Sequence, residues 1–107
     1  MNGRVESHLD AFNDAVRSSN WDAFAERFAM DARMEFVGVP VGPFEGRDAI
    51  AAAYRANPPQ DTMTALHTES DGAVDAVNFA WDAGGTGTMR LSWTADGLVA
   101  ALSVAFD

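Results

Sequence analysis

The chain contains no cysteine and no lysine. The first absence excludes disulfides, a thiol nucleophile and cysteine-ligated zinc. The second excludes Schiff-base chemistry and a lysine general base. Histidine occurs only at His8 and His67. That is too few for a His-rich metal centre, and the carboxylates form no recognisable calcium loop, so neither a metal nor a cofactor is expected. Positive charge is also scarce. Seven arginines stand against 16 acidic residues, a net charge of −9, which leaves no basic patch for nucleic acid or an anionic membrane surface. No apolar run reaches the length of a membrane span. The N-terminus lacks the basic start and apolar stretch of a signal peptide. These features point to a cytoplasmic protein with neither nucleic acid nor membrane as a partner. Residues 1–107 fit a single domain. A domain of this size is marginally stable alone, so association between chains would help it.

What is present divides near residue 60. Before that point the apolar period is helical. Val5, Leu9, Phe12 and Val16 share one face of a helix over Gly3–Ser18, with Glu6, Asp10, Asp14 and Arg17 off it. Ser18, Ser19 and Asn20 break that helix and offer a cap for a second, over 21–28, whose stripe is Trp21, Phe24 and Phe28. A short strand is expected over 33–37. Gly38, Pro40, Gly42 and Pro43 then make a loop, and an alanine-rich third helix runs over 47–56 until Asn57-Pro58-Pro59 stops it. After residue 60 the period becomes two. Strands are expected over 62–70, 74–82, 86–94 and 98–106, separated by Asp71-Gly72, Gly84-Gly85 and Asp96-Gly97. Val77, Phe79 and Trp81 share a face, as do Met89, Leu91 and Trp93, and so do Leu98, Ala100, Leu102, Val104 and Phe106. The arrangement is α+β.

Two stretches carry a family likeness. One runs from Asn20-Trp21-Asp22-Ala23 to Phe28-Ala29-Met30-Asp31-Ala32-Arg33-Met34-Glu35. The other is Phe44-Glu45-Gly46-Arg47-Asp48-Ala49-Ile50, which leads into the third helix. With the order of elements, they resemble the nuclear transport factor 2-like superfamily over nearly the whole chain, and within it the ketosteroid isomerase-like or SnoaL-like bacterial branch. The resemblance implies a cone of three N-terminal helices packed on a strongly curved, mostly antiparallel sheet around an apolar pocket. Members of the superfamily include isomerases, polyketide cyclases, epoxide hydrolases, dehydratases, ligand carriers and protein-binding subunits, so the fold alone does not name an activity.

The reactive groups of a ketosteroid isomerase are a tyrosine and a protonated aspartic acid that form the oxyanion hole, and an aspartate base. Carried over residue by residue, the tyrosine falls on Phe12, the base on Phe36 with Glu35 beside it, and the aspartic acid on Met89. A supporting tyrosine falls on Tyr54, which matches. Three of the reactive positions are therefore apolar. The Asp-Arg-Asp set of the epoxide hydrolases has no counterpart.

The candidate ligand-binding wall is Phe12, Phe36, Phe79, Trp81, Met89, Leu91, Trp93, Leu102 and Phe106, a lining suited to a flat hydrophobic molecule. The same residues could simply pack the helices onto the sheet. Candidate catalytic groups are Tyr54, to hold a carbonyl, and Glu35 or His67, to move a proton. Each has a plain alternative. Tyr54 can be a core tyrosine, Glu35 alternates to the face opposite Phe36, and His67, in phase with Met63 and Ala65, can be structural. Two functions result. One is a cofactor-free isomerase- or cyclase-like catalyst of proton transfer on a small hydrophobic carbonyl compound. The other is a non-catalytic domain for ligand binding or dimerisation. The opposite sheet face carries Asn78, Ala80, Thr88, Arg90, Ser92, Ala101, Ser103 and Ala105, small and weakly polar residues suited to a homodimer contact.

Overall fold

The computed structural model describes residues 3–107. Helix α1 spans Gly3–Ser18 and buries Val5, His8, Leu9, Phe12 and Ala15, one stripe at spacings of three, one, three and three. Helix α2, Trp21–Ala25, begins where the Asn20 side chain accepts the Ala23 N–H at 3.2 Å. It ends earlier than the Trp21, Phe24, Phe28 stripe implies. Phe28 opens strand β1, Phe28–Val37, because the Arg27 carbonyl accepts the Val99 N–H at 2.8 Å and Phe28 pairs with Val99. An i, i+4 aromatic pair fits a helix locally. Here a partner about seventy residues away captures the backbone instead.

Strand β2, Phe44–Glu45, is a two-residue addition antiparallel to β1. Helix α3, Arg47–Ala56, follows, buries Ile50, Ala51 and Tyr54, and is held at its start by the Gly46 N–H donating to the Ala32 carbonyl at 2.7 Å. The Arg47 guanidinium also donates from Nε and Nη2 to the Phe28 carbonyl, at 2.9 and 2.6 Å. Strands β3 (Met63–Asp71), β4 (Val74–Trp81), β5 (Thr86–Trp93) and β6 (Val99–Phe106) complete the chain.

The sheet order is β2-β1-β6-β5-β4-β3. The β1–β6 pairing is parallel and the others are antiparallel, so the sheet is mixed. The architecture is α+β, and two details refine the expected cone and its mostly antiparallel sheet. Only α1 and α2 precede the first strand, since α3 lies between β2 and β3. The closing strand β6 also runs beside β1 in the same direction, which only the long crossover through α3 and the β3–β5 meander allows.

The alternation is reset at three register shifts, one of them in β1 against β6 between Phe28 and Arg33. The register of β5 on β6 passes from Ser92↔Ala101 to Trp93↔Val99, so Val99, not Ala100, is fully buried. The register of β3 on β4 passes from Ala65↔Phe79 to His67↔Asn78, leaving Leu66 as the extra residue and 60% exposed. Edge strand β3 is tied to α1 by Asn13, whose amide donates to the Met63 carbonyl and accepts the Met63 N–H, both at 2.9 Å. An aromatic cluster fills the space between helices and sheet. Trp21 stacks on Tyr54 at 4.8 Å, and Phe24 lies edge-on to Phe28 and Tyr54. No helix among the described residues is long and apolar enough to cross a membrane.

Candidate functional site

The register Phe36↔Val104 and Met89↔Val104 sets three inward side chains side by side across β1, β6 and β5. Above them lies a cavity of ≈ 410 Å³. Helix α1 contributes His8, Leu9 and Phe12, helix α3 contributes Tyr54, and the strands contribute Phe36, Met63, Trp81, Met89, Leu102, Val104 and Phe106. Asn57, Pro59, Gln60 and Asp61, the segment after α3, form a polar rim. A neighbouring hollow of ≈ 340 Å³ shares Phe36, Tyr54, Asn57, Pro59 and Phe106 and extends under the loop that carries Val39 and Val41.

Of the residues expected on the wall, Phe12, Phe36, Trp81, Met89, Leu102 and Phe106 line this cavity. Phe79, Leu91 and Trp93 do not. Phe79 is fully buried against Gly87, Leu91 is fully buried beside Asp75, and Trp93 donates its indole N–H to Asp75 at 2.8 Å. Asp75 also accepts from Arg4 Nε at 2.8 Å, and this polar knot closes the end of the fold at the start of α1. The sequence pattern marks an inward face but not how far the helices cover it.

Of the proposed proton carriers, only Tyr54 reaches the cavity. Glu35 is on the outer face, 3.9 Å from Arg33 and beside Arg90 and Ser103. His67, which the alternation put in phase with Met63, is turned outward by the Leu66 bulge; its side chain is 62% exposed and lies 3.2 Å from Glu69. Phe12, Phe36 and Met89, the positions that receive the isomerase's reactive groups, all face the cavity. Among the described residues no three His, Asp or Glu side chains cluster to hold a metal ion.

The profile of the SnoaL-like domain matches residues 9–102. This chain belongs to that family. Solved structures agree in fold. A SnoaL-like protein of unknown function from Burkholderia thailandensis is similar at a TM-score of 0.79 and 16% identity, covering 100% of this chain and 97% of that one. SalBIII, an epoxide hydrolase/cyclase-like enzyme of salinomycin pyran-ring formation, is similar at 0.72 and 21%, covering 95% and 89%. A candidate ketosteroid isomerase from Kribbella flavida is similar at 0.70 and 20%, covering 98% and 78%. At such identities the likeness is one of fold. No curated protein matches the sequence.

Two ionisable groups of this SnoaL-like domain's cavity, Tyr54 and His8, are held uncharged by burial. Burial pushes the Tyr54 phenol well above its ordinary range, so its hydroxyl can hydrogen-bond but not ionise near neutrality. His8, which the sequence reading passed over, is 2% exposed. Burial first, and the nearby Arg27 charge second, lower its pKa to about 3. Its ring packs against Phe24, Phe28 and Trp93 at centroid distances of 5.2, 6.0 and 6.3 Å. The signal for it was present: with Val5, Leu9 and Phe12 it completes the i, i+3, i+4, i+7 stripe of α1. Asp61, at the rim, accepts the Ala83 N–H at 2.9 Å.

Proposed function

We propose that this SnoaL-like domain binds a small, uncharged, largely hydrophobic molecule in the cavity between α1, α3 and the sheet. One observation carries the reading. The three positions where an isomerase would keep its acid, base and donor are Phe12, Phe36 and Met89, and all three line the cavity. A ≈ 410 Å³ space with such walls suits a compact ring system and would disfavour an ion. Tyr54 supplies a hydroxyl for a carbonyl or hydroxyl group of the guest. The test uses N-phenyl-1-naphthylamine, an uncharged dye that brightens in apolar sites. Wild-type protein should bind it, and Met89→Trp, which fills the cavity, should abolish binding while Ala105→Glu on the outer face leaves it intact. Equal brightening with Met89→Trp would reject the site.

A catalytic reading, isomerase- or cyclase-like proton transfer without a cofactor, has one observation in its favour: the Asp61 carboxyl group lines the same cavity as Tyr54. Family membership supports that class of chemistry. Asp61→Asn would separate the two readings, since it should leave dye binding unchanged and remove turnover only in a catalyst. For the assembly, we propose a homodimer through the outer sheet face. What supports it is the composition of that face, where Ala80, Ala101 and Ala105 stand beside Thr88, Ser92 and Ser103, with charge confined to Arg90 and, on β1, Arg33 and Glu35.

A further inference from the structure

We infer that His8 is a ligand-binding residue, and that it selects, among the apolar guests the cavity admits, those carrying a neutral hydrogen-bond-accepting oxygen such as a ketone or ether. The inference rests on the cavity reading above and adds to it the chemistry of the guest. His8 lines the cavity and is 2% exposed. Neither ring nitrogen makes a hydrogen bond among the described residues, and only Nδ1 is both sealed and partnerless. Nε2 also has no partner among the described residues but is not sealed, so it is the ring atom that a guest in the cavity could satisfy.

The ring's surroundings give no structural reason for an imidazole. Its ring neighbours are Phe24, Phe28 and Trp93, which a leucine or phenylalanine at this position would satisfy as well, and the nearby Arg27 makes no hydrogen bond to it. Burial and the Arg27 charge keep the ring neutral, so it offers one N–H donor and one lone pair. A sealed lone pair is a smaller loss than a sealed N–H, which assigns the proton to Nε2. The edge open to the cavity is therefore a donor. Cationic and carboxylate guests are disfavoured by the apolar walls, whereas a neutral acceptor oxygen would satisfy the donor at no desolvation cost to a protein charge. Tyr54 lines the same cavity and offers its hydroxyl as a further contact.

The experiment compares two probes of matched shape, 2-acetylnaphthalene and 2-isopropylnaphthalene. Calorimetry gives their affinities, and NMR of histidine-¹⁵N-labelled protein reports the imidazole. Wild type should bind the ketone roughly three- to tenfold more tightly than the hydrocarbon, the net worth of one neutral hydrogen bond. His8→Leu should cut that ratio severalfold, leaving only what the Tyr54 hydroxyl contributes, and keep the hydrocarbon's affinity, while His8→Gln, whose amide N–H can reach the Nε2 position, should restore part of it. The Nε2 resonance of His8 should move with the ketone and not with the hydrocarbon. A ketone preference unchanged in His8→Leu, or wild-type binding with no preference, overturns the role of His8 and leaves the cavity reading standing. Binding of neither probe overturns both. If His8→Leu does not fold, the wild-type resonance decides: a shift with the ketone alone supports the role, and no shift rejects it.

Discussion

Replacing His8 by leucine should remove a defined part of the protein's acid sensitivity. An unfolded histidine titrates near 6.5, and in the folded chain His8 titrates at about 3. Between those values the unfolded chain binds one proton more than the folded chain, so stability falls as pH falls. The contribution is complete above pH 6.5 and shrinks by about 1.4 kcal/mol for each unit below it. At pH 4.5 the loss is roughly 3 kcal/mol, a large share of the stability of a small domain. The assay is urea unfolding of wild type and His8→Leu at pH 7, 5.5 and 4.5. The carboxylates and His67 are common to both proteins and cancel in the difference. The variant's profile should be flatter by the stated slope. At pH 7 it should be at least as stable as wild type, because a partnerless buried polar atom costs about 1–3 kcal/mol. Parallel profiles between pH 6.5 and 4.5 would refute the reasoning, since they would mean that the imidazole is hydrated or protonated in the fold.

Gly87→Ala should destabilise the protein, although alanine is ordinarily the better residue within a strand. Its Cβ would lie 2.6 Å from both the Ala105 carbonyl oxygen and Phe79 Cζ, an overpacking cost of about 2–3 kcal/mol that thermal melting would register as a drop of roughly 10–20 °C. Turnover of a Δ5-3-ketosteroid should be at background level in a spectrophotometric isomerase assay, because Phe12 and Met89 cannot donate to an enolate and Phe36 cannot take the proton; one lost donor alone is worth factors of ~10²–10³. Light scattering at micromolar concentration should give twice the monomer mass of 11.4 kDa, and Ala105→Glu should return it to the monomer value. A monomeric wild type would remove the dimer proposal.

The pattern of side chains alone determined the α+β class, the ends of α1 and α3 and the four hairpin strands to within a residue, because helical and strand periods and Gly/Pro breaks are local properties. It also marked Phe12, Phe36, Tyr54 and Met89 as inward-facing, and all four meet at the cavity. Tertiary structure decided the rest. Phe28 left the helix for a strand because Val99 offered it a backbone partner. One extra residue at Leu66 turned His67 from the expected inward face to solvent, and an irregularity opposite Trp93 made Val99 the buried residue instead of Ala100. A bulge changes every phase beyond it and leaves no composition signature. Burial, finally, gave His8 its character. A histidine on an apolar stripe reads as an ordinary core position until the helix is laid on the sheet, where Phe24, Phe28 and Trp93 strip it of water and leave one edge facing the cavity.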